Sequence, residues 1–569
     1  MKSLLRFVPL LACGLSLASC VGVPSEEPPS AYGAFLAARY AGVNRDADGA
    51  ATYYAEALHR APGNATLADR AYITALLAGN MDEAVIYADQ AIEAGDPSRL
   101  AGLYRAADHI AGRRYGRALT LLQSAPDYGP FNAFSADLMA HWAMLGGGHQ
   151  DEALAAAREM AAPGYLGPFV SLHRAMLFEA AGEYESADAG YQATLYASPF
   201  QRMVTNLYGS FLERRGRRAE AIALYQRYLE VTPGDASILE SLERARSPGR
   251  PPREPSVSQF AALSLFGPSA SLAAQADMDL TVLYLRMIQR MHPEYAPNRM
   301  LLGETLQRIR LPEVALAEYR AVEPGPLWLS AQIDLIWLTA RLDDLDGATA
   351  LAQSLIETSG DDEARLILAD LYRVQSRCPD AAELYAEVIR NREARQAPVD
   401  WRYHYFRASC LYALGELDAA EADFLRALEL GPDEAQVLND LGYLWLDRGE
   451  RLEEAFQMVE RAAVLEPEQG HIIDSLGWAY YRLGDYDHAV RELERAVSLS
   501  PGNATANFHL GDAYWQVGRR LEARFQWERT LTLDPDEEEA AALDERLAHG
   551  LPVGEETEIA GRQAEPVTP

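Results

Sequence analysis

The feature that most constrains the fold of this chain is a motif that recurs after 34 residues. Leu476-Gly477-x-x-Tyr480 is repeated as Leu510-Gly511-x-x-Tyr514. Twelve residues after each glycine comes an alanine, followed by a large side chain and then a proline: Ala489, Leu493 and Pro501 in one copy, and Ala523, Trp527 and Pro535 in the other. Small residues allow two helices to pack closely, and a proline ends the second helix. The spacing therefore predicts a helix–turn–helix repeat.

The same register extends over most of the chain. Further copies begin near residues 401 and 435 and, in weaker form, near 296, 329 and 362. In the N-terminal half, six alanines spaced by 34 or 35 residues mark six more repeats: Ala50, Ala84, Ala118, Ala153, Ala187 and Ala221. The pattern resembles the tetratricopeptide repeat. This resemblance implies an all-α fold with two superhelical arrays, about 13 helix–turn–helix repeats in total, joined by a Pro-rich linker.

The repeats and the composition between them predict the domain layout. Four prolines between Pro248 and Pro255 interrupt the helical pattern, which indicates a linker. Residues 272–292 have apolar side chains at helical spacing, and we expect them to cap the second array. The predicted segments are a signal peptide (1–19), a tether (20–30), an N-terminal array (31–246), a linker (247–271), a capping helix with the C-terminal array (272–549) and a disordered tail (550–569).

The N-terminus carries a targeting signal. Lys2 and Arg6 precede a short apolar stretch that is too short to span a bilayer. It ends in Leu17-Ala18-Ser19-Cys20, which resembles a bacterial lipobox. The resemblance implies lipidation of Cys20, and Val21 after it favours the outer membrane, with the protein on the periplasmic face. The alternative is an ordinary signal peptide in which the cysteine is incidental.

Charge and motif content argue against several functions. The formal net charge is −32 and Lys2 is the only lysine, which excludes a P-loop, a Schiff-base lysine and a Ser-x-x-Lys pair. So acidic a chain would repel nucleic-acid phosphates. The eleven histidines have no metal-ligand spacing, and no nucleophile elbow or dinucleotide loop occurs. We therefore expect no enzymatic activity, cofactor, metal or nucleic-acid partner.

The first helix of each repeat supplies the candidate binding residues. In tetratricopeptide repeats, positions 2, 5, 9 and 12 of that helix line a groove that binds protein segments. In the last four repeats these positions are rich in aromatic side chains, which often dominate interfaces. We predict a partner-binding groove formed by Tyr405, Tyr412, Asn439, Tyr443, Asp474, Trp478, Tyr481, Phe508, Asp512 and Trp515. The alternative is that some of these rings pack between helices.

Two cysteines remain besides Cys20 and Cys13 of the signal peptide. Cys378 and Cys410 lie in neighbouring repeats, in a compartment that permits disulfides. They are either a disulfide pair or two separate thiols, because spacing alone does not determine their geometry.

Residues 439–497 resemble the C-terminal repeats of a group of long Gram-negative lipoproteins. One member of that group is an outer-membrane adaptor for a periplasmic carboxyl-terminal processing protease and its cell-wall hydrolase substrates. The resemblance implies a non-enzymatic adaptor with such protein partners. The other interpretation is a scaffold for envelope biogenesis, outer-membrane assembly or export machinery without a proteolytic role. The partner's identity, the array that binds it and the oligomeric state all stay open at this point.

Overall fold

The computed structural model describes residues 30–551, apart from 96–99, 125–129, 162–163, 196, 198–200, 275–277, 534 and 536. Within these ranges the chain forms thirty α-helices and one 3-10 helix, Gly164–Leu166, and no β-strand. The predicted all-α repeat fold is therefore confirmed. The signal peptide, Cys20, the tether up to residue 29 and the tail beyond residue 551 lie outside the described residues.

The chain divides into two compact units, residues 1–338 and 339–569. The helices of the first unit are α1 Ala31–Val43, α2 Ala47–Arg60, α3 Ala65–Ala78, α4 Met81–Glu93, α5 Leu100–Ala111, α6 Tyr115–Ser124, α7 Pro130–Gly146, α8 Gln150–Glu159, α9 Gly167–Ala180, α10 Tyr184–Leu195, α11 Gln201–Arg214, α12 Arg218–Val231, α13 Ala236–Arg246, α14 Val257–Ala273, α15 Met278–Met291, α16 Ala296–Arg308 and α17 Pro312–Arg320.

The boundary between the units falls within α18, Trp328–Arg341. The helices of the second unit are α19 Leu345–Ser359, α20 Asp362–Val374, α21 Cys378–Ala394, α22 Trp401–Ala413, α23 Leu417–Leu430, α24 Ala435–Arg448, α25 Leu452–Leu465, α26 Gly470–Arg482, α27 Tyr486–Leu499, α28 Ala504–Gln516, α29 Arg520–Thr530 and α30 Glu537–His549.

The repeat pattern corresponds to pairs of helices, which we call the A helix and the B helix of each repeat. The described residues contain six such pairs in α1–α12 and seven in α16–α29. The periodic alanines lie on B helices, and all six are buried, from Ala50 to Ala221. The small alanine side chain lets the A helix and the B helix of a repeat pack closely together. The helix pairs therefore lie where the spacing of the alanines predicts them.

The predicted linker differs from the structure, whereas the predicted capping helix, α15, does pack against α16, the first helix of the second set of repeats. The segment 247–271 is free of helix only up to Ser256, which caps the start of α14 in a capping box with Gln259. Helix α14 packs against α7 and α9, and α15 packs against α3 and α5, all in the first unit. Helix α14 is apolar on all sides, and most residues of both helices are buried. The unit boundary accordingly lies at residue 338 and not in the predicted linker.

Specific contacts hold α14 and α15 on these A helices. Phe260 of α14 stacks on Trp142, with ring centroids 5.3 Å apart. The hydroxyl of Tyr284 in α15 donates to Asn132 Oδ1 at 2.6 Å. The buried Arg286 donates from Nε to the Leu76 carbonyl at 2.9 Å. Within the first unit, the A-helix side of α3, α5, α7 and α9 is therefore covered by the chain's own later helices.

The second unit continues the repeat to its end. Helix α30 follows α29 and packs against it, in the place of a further A helix. No B helix follows it within the described residues. No helix among the described residues is both long and apolar enough to cross a bilayer.

Candidate protein-binding groove

An open cleft of about 360 Å³ lies on the A-helix side of the second unit. We call it the A-helix cleft. Helices α22, α24 and α26 supply most of its wall, together with the start of α28 and one ring from α23. Its lining residues are Ser409, Tyr412, Phe424, Asn439, Asp440, Tyr443, His471, Asp474, Ser475, Asn503 and Thr505. The cleft therefore spans four consecutive repeats.

Four of the ten residues predicted for the groove line this cleft. Tyr412 is 37% exposed, and Tyr443 is half-buried on the neighbouring A helix. Burial, with Asp474 and Tyr412 nearby, raises the pKa of the Tyr443 phenol. Asn439 is only 5% exposed, and its Oδ1 has no hydrogen-bond partner. The cleft thus combines aromatic surface with an unused amide oxygen, which suits the recognition of a protein segment.

The fourth, Asp474, is paired with a histidine of the next repeat. His509 Nδ1 lies 3.1 Å from both carboxylate oxygens of Asp474. Burial alone would lower the pKa of His509, but the Asp474 carboxylate outweighs it and raises this pKa. The pair joins α26 to α28 behind the cleft.

Trp478 and Tyr481 do not line the cleft. The Trp478 ring stacks on His509 at 4.1 Å and on Tyr481 at 4.7 Å between centroids. Gln516 of the next A helix donates to the Tyr481 hydroxyl at 3.3 Å. These rings therefore pack between helices, which is the alternative that the sequence left open.

The predicted residues of α28 are closed off by the C-terminal helix. Arg546 of α30 donates from Nε and Nη2 to the two oxygens of Asp512, each at 2.8 Å. Its guanidinium also lies 4.3 Å from the centre of the Phe508 ring. Trp515 donates from Nε1 to the Leu551 carbonyl at 2.9 Å. Phe508, Asp512 and Trp515 are thus used to hold α30 in place.

Tyr405 also serves a neighbouring repeat, since its hydroxyl donates to Asp440 Oδ2 at 2.9 Å. Asp440 itself was not predicted from the sequence. It occupies position 6 of its repeat, outside the four positions expected to face the groove. Phe424, which comes from a B helix, was missed for the same reason. Only the packing of α22, α23 and α24 brings these two side chains to the cleft.

The two cysteines lie close together as free thiols. Cys410 is buried at the end of α22, and Cys378 begins α21. Burial, followed by a hydrogen bond with Cys378, raises the pKa of Cys410 to about 12. The structure contains no bond between their sulfur atoms. Among the described residues, no three His, Cys, Asp or Glu side chains are placed to hold a metal ion.

Comparison with known proteins identifies the repeats. A tetratricopeptide repeat family model matches residues 172–236, 366–435 and 417–469. A second model, the TPR repeat, matches residues 477–518. A TPR repeat-containing protein of Pseudomonas aeruginosa, PA4667, is 30% identical over 182 residues, which are 32% of this chain. The match covers 30% of that relative's length, well under two thirds of it.

Solved structures match this chain at low identity and with low TM-scores. The crystal structure of MamA is 22% identical with a TM-score of 0.26, over 29% of this chain and 92% of that one. The crystal structure of the APC/C hetero-tetramer Cut9–Hcn1 is 14% identical with a TM-score of 0.34, over 91% of this chain and 96% of that one. The chain carries tetratricopeptide repeats in both of its units, and such repeats form scaffolds that bind protein partners.

Proposed function

We propose that this chain is a non-enzymatic adaptor that binds protein partners in the A-helix cleft of its second unit. In this proposal a lipid on Cys20 anchors it to the outer membrane on the periplasmic face. Its partners are a periplasmic protease and the cell-wall hydrolases that this protease cleaves. The observation that supports binding is the cleft itself, an open surface on four consecutive A helices with tyrosines at its wall.

The contacts within the second unit favour this cleft over the rest of the A-helix side. Toward the C-terminus, Asp512 and Phe508 are engaged by Arg546, and Trp515 by the Leu551 carbonyl. In the first unit, α14 and α15 cover four A helices. At the cleft, by contrast, Asn439 keeps an unused carbonyl oxygen. An extended segment that donates a backbone N–H to it would satisfy that oxygen, which is costly to leave buried and unpaired.

The test is capture of partners from envelope extracts by the purified chain, followed by their identification. The variant is the double change Tyr412→Ala with Tyr443→Ala, which removes both tyrosines from the cleft wall. Loss of a hot-spot ring typically costs about 2 kcal/mol or more, so we expect affinity to fall roughly thirtyfold. Phe525→Ala is the matched control, because this ring is 60% exposed on helix α29, away from the cleft.

The outcomes distinguish the alternatives. Capture of a serine protease and murein hydrolases by the unmodified chain, lost in the double variant, supports the proposal. Capture of peptidoglycan synthases, assembly factors or export components in the same cleft would favour a scaffold without a proteolytic role. A double variant that folds normally and still captures its partners at full affinity would move recognition away from the cleft.

A further inference from the structure

One carboxylate in the A-helix cleft differs from its neighbours. Asp440 accepts hydrogen bonds from three neutral donors. Gln436 Nε2 and Asn439 Nδ2 reach Oδ1 at 2.9 and 3.0 Å, and the Tyr405 hydroxyl reaches Oδ2 at 2.9 Å. No arginine or histidine among the described residues forms an ion pair with it. Burial raises the pKa of Asp440, although the three donors and the nearby His471 act to lower it, so its negative charge is costly.

The other buried carboxylates along these A helices each have a cationic partner. Asp512 pairs with Arg546, and Asp474 pairs with His509. Asp423, on the B helix beneath α22, is engaged by Arg407. Among these carboxylates, Asp440 is therefore the one that is hydrogen-bonded but has no ion-pair partner within the described residues, and like Asp474 it lines the open cleft.

The surroundings of Asp440 favour a cation. The eleven lining residues include two carboxylates and no arginine, and the histidine among them, His471, is occupied by Gln436 Oε1 at 3.0 Å. Tyr412, Tyr443 and Phe424 supply ring faces, which attract cations through their π electrons. The chain as a whole has a formal net charge of −32, which further draws positive segments toward it.

We propose that the A-helix cleft receives an arginine or lysine side chain from an extended segment of a protein partner, with the Asp440 carboxylate as its counter-ion. This inference rests on the proposed function, since it names the chemistry of the segment bound in the same cleft. The unpaired Oδ1 of Asn439, 5% exposed beside Asp440, accepts a backbone N–H of that segment. The tyrosines flank the aliphatic part of the cationic side chain and its charged end.

The experiment uses a defined probe. Random dodecapeptides displayed on phage are selected on the full-length chain, and the best binders are synthesised with a fluorescent label. Each peptide is then compared with a copy in which one arginine is replaced by citrulline, or one lysine by acetyl-lysine. Fluorescence polarisation gives the affinity of both peptides for the unmodified chain, for Asp440→Asn and for Asp447→Asn. The last variant removes an exposed carboxylate from the same helix and is the matched charge control.

We expect the selected peptides to carry a cation at one fixed position. Its neutral replacement should weaken binding to the unmodified chain by about tenfold or more, the usual effect of a charge-assisted hydrogen bond. In Asp440→Asn the two peptides should bind almost equally, whereas Asp447→Asn should keep the difference. Because the peptide comparison on the unmodified chain needs no variant, it remains decisive even if Asp440→Asn folds poorly.

Three other results would contradict the inference in different ways. If the peptides lose binding in Tyr412→Ala with Tyr443→Ala but bind equally well with and without the cation, the cationic preference is wrong and the binding cleft stands. If the citrulline copy is weaker but Asp440→Asn is as selective as the unmodified chain, the counter-ion has been assigned to the wrong residue. If no selected peptide depends on the two tyrosines, both this inference and the proposed binding site fail.

Discussion

At the scale of single residues, the recurring glycine of the A helices α26 and α28 leaves no room for a side chain. A Cβ added to Gly477 would lie 2.5 Å from Leu493 Cγ and 3.1 Å from the Leu493 backbone nitrogen. The same position in the next repeat, Gly511, faces the Trp527 ring. The recurrence of this glycine predicted a close contact between two helices. The structure shows that contact between the A helix and the B helix of the same repeat.

Gly477→Ala should therefore destabilise the second unit. Leu493 is fully buried and cannot move without disturbing the core, and such overpacking typically costs about 1–3 kcal/mol. The matched control is Gly502→Ala, because a Cβ at Gly502 meets no atom within 4 Å. Denaturant unfolding followed by circular dichroism measures both variants. Equal free energies of unfolding for the two would contradict the close helix contact.

Aromatic residues show the limit of the repeat register at the same scale. Tyr443 and Trp478 both occupy position 9 of an A helix, yet Tyr443 lines the cleft while Trp478 stacks on His509. Position in the repeat predicts the face of the helix on which a ring lies. Whether the ring is covered depends on the side chain that the next repeat places beside it, and the period does not specify that side chain.

At the scale of elements, α14 is the clearest departure from the sequence prediction. The four prolines that suggested a linker all precede Ser256, where the helix begins. Pro268 lies inside the helix, where it would ordinarily disrupt hydrogen bonding. The surrounding residues are buried against α7 and α9, and this burial outweighs the local signal.

The junction of α14 with α7 and α9 contains two buried histidines. His141 Nδ1 lies 3.0 Å from His173 Nε2, and His173 Nδ1 lies 3.1 Å from the Ser264 hydroxyl of α14. Burial, with Arg174 nearby, lowers the pKa of His141 to about 4. Burial and His141 lower the pKa of His173 well below its usual value. Both rings are therefore neutral in the folded chain at neutral pH.

This junction should make the first unit sensitive to acid. A histidine whose folded pKa is lowered contributes full stability above its unfolded pKa of about 6.5, and that stability is lost as pH falls toward the folded pKa. Between pH 7.5 and pH 5 we expect a loss of about 2 kcal/mol from His141, and a further loss in the same direction from His173. Unfolding of the chain at several pH values measures this loss.

The variant for this test is His141→Asn with His173→Gln, which has no ionisable ring at the junction. Its stability should fall less over the same pH interval, whatever its stability at pH 7.5. His59→Gln, at an exposed histidine of α2, is the control and should keep the steeper dependence. Parallel pH profiles for the double variant and the unmodified chain would exclude the two histidines as the cause.

At the scale of the whole molecule, the two units use their A helices differently. In the first unit α14 and α15 pack on the A-helix side, and the Tyr284–Asn132 hydrogen bond joins residues 152 positions apart. In the second unit a cleft remains open on that side. The proposed adaptor therefore presents its partner-binding surface in the second unit, which is far along the chain from the proposed anchor at Cys20.

The anchor belongs to this scale because it would determine where the whole molecule resides. Cys20→Ser removes the thiol that would carry the lipid. We expect this variant to lose membrane association and palmitate labelling, while the unmodified chain sediments with the membrane fraction. Cys13→Ser, in the signal peptide, is the control and should change neither property. Membrane association that survives Cys20→Ser would contradict a lipid anchor at this residue.

The sequence by itself determined the repeating architecture. Helix pairs, their turns and their buried alanines follow from spacings of 34 residues, because a repeat packs mainly on its immediate neighbours and its pattern records those local contacts. The tertiary structure alone decided which A-helix residues stay open. Arg546 forms an ion pair with Asp512, no residue in the described part of the chain forms one with Asp440, and α14 and α15 cover four A helices of the first unit. Which residues stay open depends on contacts between side chains of different repeats and on α14, α15 and α30, which are not part of the repeated helix pairs. The spacing of residues along the chain does not record these contacts.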